Sequence, residues 1–121
     1  MKTALALSIL TALFATANAS PGVVFTPPVT DPTNTTVWTS GQVETVTWDV
    51  SNPPANITNR IGRIQFRFDD ITTPLVLADN FDILLGTIQV TAPLVITGSD
   101  YSLVLFGDSG NFSPEFTING L

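Results

Sequence analysis

The chain has 121 residues, 44% of them hydrophobic, with ten acidic residues against four basic ones, no histidine and no cysteine. That composition rules out disulfide staples and imidazole chemistry, and the acidic balance argues against nucleic acid and anionic membrane surfaces as partners. Lys2, the apolar run Ala4–Ala15 and the small-x-small triplet Ala17-Asn18-Ala19 form a secretory leader, too short to span a bilayer. Cleavage after Ala19 of the 121-residue chain leaves 102 residues, enough for one domain with one core. With Lys2 removed, three arginines stand against ten carboxylates, a balance of −7. The expected organisation is a leader over 1–19 and a single domain over 20–121. The product is expected outside the cell, without membrane attachment.

Beyond the leader, short β-rich runs alternate with turn signals, as in a sandwich or barrel. Strands are expected at Val23–Thr26, Thr35–Trp38, Glu44–Val50, Arg63–Phe68, Leu75–Ala78, Thr87–Thr91, Tyr101–Phe106 and Phe112–Ile118. Proline and glycine punctuate the intervals. Period-two alternation puts Val46, Trp48 and Val50 on a core face, and likewise Ile64, Phe66 and Phe68. Arg63, Gln65 and Arg67 then share the opposite, outward face. Tyr101–Phe106 is apolar on both sides, so it reads as a central strand with a covered outer face. Tyr101 at the head of that strand fits a tyrosine corner. With Trp48 in an earlier strand, it selects an all-β immunoglobulin or fibronectin-III-like sandwich of seven or eight antiparallel strands, without a disulfide.

Chemistry has few candidates. Histidine and cysteine are missing, and lysine goes with the leader, so the usual nucleophile–base pairs cannot be assembled. The acid pairs Asp69/Asp70, Asp79/Asp82 and Asp108/Glu115 could serve a glycosidase, but they also read as turn and strand-end residues. Asp79-Asn80-Phe81-Asp82 and Asp108-Ser109-Gly110-Asn111 carry oxygen ligands without EF-hand spacing. The second reads equally as a turn with Gly110 left-handed. No catalytic residue, metal or cofactor is assigned.

Binding has more. Arg63, Gln65 and Arg67 form a polar row for sugar hydroxyls or an acidic partner. If Tyr101–Phe106 pairs alongside, Val104 and Phe106 join them. The same row also fits a solvated face of paired charges. Trp38 offers a rim platform for a sugar ring or closes the end of the core. Asn34-Thr35-Thr36 and Asn56-Ile57-Thr58 are glycosylation sequons, so Asn34 and Asn56 are expected to carry glycans. Asn111-Phe112-Ser113 also fits, with the following Pro114 opposing its use.

Several motifs together carry a resemblance. They are Trp38-x-x-Gly41, Val46-x-Trp48, Pro54-Ala55-Asn56-Ile57-Thr58-Asn59, the leucine/valine run before Phe81-Asp82, Asp100 through Asn111, and Ser113-Pro114-Glu115-Phe116-Thr117-Ile118. Over about residues 23–118 they resemble the N-terminal immunoglobulin-like domain of the fungal cell-wall synthesis family. That family includes the killer-toxin-resistance proteins of β-1,6-glucan assembly and Ser/Thr-rich GPI-anchored wall proteins. The resemblance implies a secreted fungal module of the wall or matrix, whose partner is wall polysaccharide such as β-glucan, or a wall protein. It carries over no catalytic residues. This sequence lacks the stalk and anchor signal of the anchored members and the C-terminal region of the glucan-assembly proteins. The alternative is a carboxylate-dependent enzyme acting on polysaccharide.

Overall fold

A computed structural model describes residues 22–121. The leader expected over 1–19 lies outside the described residues. The strands are β1 (Val29–Asp31), β2 (Val37–Thr39), β3 (Val43–Trp48), β4 (Ile61–Phe68), β5 (Ile71–Asp82), β6 (Thr87–Thr91), β7 (Gly98–Phe106), β8 (Gly110–Phe112) and β9 (Phe116–Asn119). A single 3-10 turn, Ile83–Leu85, separates β5 from β6.

Strands β1, β3 and β6 make a three-stranded sheet in the order β1-β3-β6. The other sheet has six strands, ordered β2-β9-β7-β4-β5, with β8 also on β7. The chain is thus an all-β immunoglobulin/fibronectin-III-like sandwich. It departs from the expected seven or eight antiparallel strands by having nine among the described residues and by pairing β2 with β9 in parallel. The cause lies at its start. β1 hydrogen-bonds to the small sheet, the chain turns at the buried Pro32, and β2 then joins the large sheet. Side chains hold that turn: the Thr36 hydroxyl donates to Asp31 Oδ1 at 2.9 Å and accepts from Thr33 N–H at 2.8 Å.

Other boundaries also moved. Val23–Thr26 is not a strand; Val23 only exchanges backbone bonds with Asn56 and Thr58. Phe112–Ile118 is divided, because Pro114 has no N–H for the ladder. Ser113 fills the break, donating its N–H to Leu103 O (2.8 Å) and accepting Leu103 N–H on its hydroxyl (2.9 Å). β5 extends far past Leu75–Ala78 in both directions. It joins β4 through Asp69-Asp70, both at positive φ (53° and 62°), as a two-residue type I′ hairpin requires.

Between the sheets lie Trp38, Val46, Trp48, Ile64, Phe66, Leu103 and their neighbours, all buried. The Trp48 indole N–H donates to Ile83 O at 2.6 Å, and its ring tilts against Phe81 at 5.4 Å. Val50, expected beside Trp48, is partly buried against the same core. β7 is central, and Ser102 and Val104 are as buried as Tyr101, Leu103 and Leu105. The Tyr101 hydroxyl donates to Ile96 O at 2.7 Å, completing the tyrosine corner. Phe68 corrects the alternation argument. It is 47% exposed, because at that end β4 is faced by the irregular segment Leu94–Ile96 and not by a strand of the small sheet.

Candidate functional site

The outward face of the large sheet gathers most of the polar and aromatic candidates. Strand register sets them in rows, since directly opposed residues point to the same side. Asp79 on β5, Arg63 on β4 and Phe106 on β7 form the first row. Val76, Gln65, Val104 and Phe112 form the second. Thr72, Arg67 and Ser102 form the third. Pairing of β4 with β7, opposing Arg63 to Phe106 and Gln65 to Val104, meets the condition under which Val104 and Phe106 join the polar row.

Within the rows, the arginines differ. Arg63 is exposed, its guanidinium carbon 5.2 Å from the Phe106 ring centroid. Among the described residues that guanidinium has no hydrogen-bond or ion-pair partner, although Asp79 sits directly across the strand. Beside it opens a cavity of about 200 Å³, lined by Asn59, Arg63, Asp79 and Phe106 with nearby backbone. A guanidinium fork, a carboxylate, an amide and an aromatic face at one opening suit a polyhydroxylated ring.

Arg67 does not belong to that surface. It is 8% exposed, and its Nε, Nη1 and Nη2 donate to Thr72 Oγ1, Ser102 Oγ and Asp70 O at 3.1, 3.4 and 2.6 Å. The Phe112 ring covers it at 3.9 Å. The guanidinium therefore knits the β4–β5 turn to β7, and an outward row of two arginines is reduced to Arg63. Gln65 is half committed, its amide donating to Thr73 O at 3.0 Å.

Trp38 is likewise removed from the contact residues. It is 2% exposed and packs on Phe116 with ring centroids 4.7 Å apart, so its face cannot meet a sugar. Three-residue β2 tucks alternate side chains inward, and Trp38 is its one inward position.

Phe112 and Asn59 carry no contact role in the sequence reading, and Asp79 enters it only through the Asp79/Asp82 acid pair and the Asp79–Asp82 oxygen cluster. Phe112 is 58% exposed; reading Phe112–Ile118 as one strand hid that it stands over Arg67. Gly110 is extended, not left-handed as expected. Its value is space: a Cβ there would lie 2.9 Å from Val104 Cγ2 and 3.0 Å from Phe106 Cε1.

Two carboxylates are tied into local contacts. Asp82 is held below the usual carboxylate range by its hydrogen bond with Arg60, helped by Leu84 N–H, and the Arg60–Asp82 pair closes at 2.6 Å. Asp49 is lowered by the hydroxyl and N–H of Ser51. Both shifts run opposite to what a glycosidase proton donor needs. Among the described residues, no three acidic, histidine or cysteine side chains cluster as metal ligands. Asn34 and Asn56 are exposed, whereas the Asn111 amide donates to Thr26 O (3.1 Å) and Pro27 O (3.2 Å).

No protein-family model matches the sequence, and no curated protein matches it closely. Among solved structures, the chain is similar to the fibronectin(III)-like modules of Clostridium thermocellum CbhA. Identity there is 12%, covering 78% of this chain and 96% of that one, with a TM-score of 0.44. It is also similar to extracellular domains 3–5 of Drosophila OTK, at 14% identity, 85% and 37% coverage and a TM-score of 0.43.

Proposed function

We propose that this domain is a secreted, non-catalytic module of a fungal wall or matrix that binds wall polysaccharide, β-glucan first, through the outward face of its large sheet. The observation carrying this reading is the Asp79–Arg63–Phe106 row, with an unpaired guanidinium laid over a half-buried ring beside a small polar cavity. Sugar hydroxyls meet the guanidinium and carboxylate, and the apolar face of the ring meets Phe106. Each contact is modest, so retention on polymer depends on many modules engaging together.

Co-sedimentation with insoluble fungal β-glucan tests the reading. The wild-type domain is expected in the pellet. Arg63→Ala and Phe106→Ala are each expected to lower the bound fraction several-fold, on the order of 1 kcal/mol per contact. Arg67 is left intact, since its loss would loosen the fold. Equal sedimentation of all three proteins would remove this face from the argument. No sedimentation of the wild type would turn attention to a wall protein as partner.

A further inference from the structure

The outward face continues past the row at Arg63. In the next row Gln65 on β4 lies between Val76 on β5 and Val104 on β7, and Phe112 on β8 completes it. Two residues along each strand set the rows about 7 Å apart. None of these four side chains is charged, and Val76 and Phe112 are exposed. The Gln65 amide nitrogen is committed to Thr73 O, whereas among the described residues its Oε1 has no partner.

Phe112 is held as a platform. One side of its ring lies on the Arg67 guanidinium at 3.9 Å, which is itself fixed by bonds to Thr72, Ser102 and Asp70 O. The other side is open to solvent, since the residue is 58% exposed. A ring already fixed in place loses little freedom when a ligand stacks on it. Phe106 reaches toward the same strand. Its ring edge lies where a Cβ on Gly110 of β8 would stand 3.0 Å away.

The charges say what kind of chain fits. Arg63 and Asp79 oppose each other in the first row, and the second row is neutral, so neither a basic nor an acidic chain gains a net ionic attraction there. Two aromatic faces, with a guanidinium and an amide oxygen beside them, match the apolar face and hydroxyl edge of successive sugar rings. The third row ends the run, because Arg67 and Ser102 are buried.

We propose that the face takes two or three consecutive rings of a neutral polysaccharide, with Phe112 the platform for the ring beyond the one held at Arg63 and Phe106. This rests on the polysaccharide-binding function proposed above and adds to it a second subsite and a length.

Fragments of the same insoluble β-glucan, one to six rings long, serve as competitors in the co-sedimentation of the intact domain. The half-inhibiting concentration is expected to fall ~10-fold from one ring to three and less than ~2-fold from three to six. Phe112→Leu keeps an apolar cover over Arg67 but removes the flat ring. It is expected to raise the value about 5-fold for three rings and to leave the one-ring value unchanged. Phe112→Tyr keeps the ring and is expected to match the wild type. One ring inhibiting as well as three, or Phe112→Leu behaving as the wild type toward three rings, overturns the second subsite while the binding function stands. An equal loss toward one ring and three also overturns it, by putting Phe112 at the first ring. Wild-type protein that stays out of the glucan pellet overturns the subsite and the binding function together.

Discussion

Two arginines four residues apart on β4 carry different burdens. Arg67 spends three nitrogens on Thr72, Ser102 and Asp70, all under Phe112, whereas Arg63 touches only the Phe106 ring. Arg67→Ala is expected to lower stability in urea by about 2–3 kcal/mol, and Arg63→Ala by less than about 0.5 kcal/mol. The tryptophans, by contrast, are alike. A rim position for Trp38 would make its loss the milder one, but both indoles are buried, at 2% and 3% exposure. Trp38→Ala and Trp48→Ala should each cost about 3–5 kcal/mol in chemical denaturation. Asp82 sets an acid limit. Its carboxyl is lowered in the fold by Arg60, so the pair's contribution is complete above the unfolded value near 3.8. It is lost as pH falls through the lower folded value. Thermal melts between pH 5 and pH 2 should therefore fall less steeply in Asp82→Asn than in the wild type, though from a lower start.

At the scale of elements, the β4–β5 hairpin is held in spite of its turn residues. Asp69 and Asp70 both sit at positive φ, where asparagine and glycine fit a type I′ turn with less strain. Asp69→Asn/Asp70→Gly is expected to raise the denaturation midpoint, by roughly 0.5–1 kcal/mol. Further along the hairpin, Gly62 packs directly under the Phe81 ring, inside the reach of any Cβ. Gly62→Ala should cost about 1–3 kcal/mol through overpacking. The limits of β5 are illegible in sequence for a different reason: β5 carries Pro74 and register shifts against β4, so period-two alternation fails along most of its length. β9 is a milder case, where Ser113 bridges the gap that Pro114 makes.

For the whole molecule, the unequal sheets matter most. Three strands face six, so part of the large sheet's inner face runs past its cover, and Phe68, Leu94 and Ile96 remain open there. The three sequon asparagines differ in their surroundings. Asn34 and Asn56 stand exposed, while the Asn111 amide ties the β7–β8 end to the backbone of Thr26 and Pro27. Secreted protein is expected to begin at Ser20 and to carry glycans at Asn34 and Asn56 but not at Asn111. Intact mass before and after deglycosylation checks the N-terminus and the number of glycans, and peptide mapping of the Asn-to-Asp change left by deglycosylation assigns their positions.

By itself the sequence determined the fold class, the central place of β7, the burial of Val46, Trp48, Ile64 and Phe66, and the tyrosine corner. Those follow from alternation and from one phenol beside a turn, and both are local signals. It also put Arg63 and Gln65 on one face by alternation, while Phe106 joins them only through the β4–β7 pairing that the structure supplies. Tertiary structure alone decided that Arg67 and Trp38 are buried, that Phe68 is not, and that β2 lies parallel to β9. Parity says which side of a sheet a residue faces. What covers that side is a long-range matter: Phe112 reaches Arg67 across a different hairpin, and the segment after β6 leaves Phe68 open. Neither is encoded in the residues immediately around the one affected.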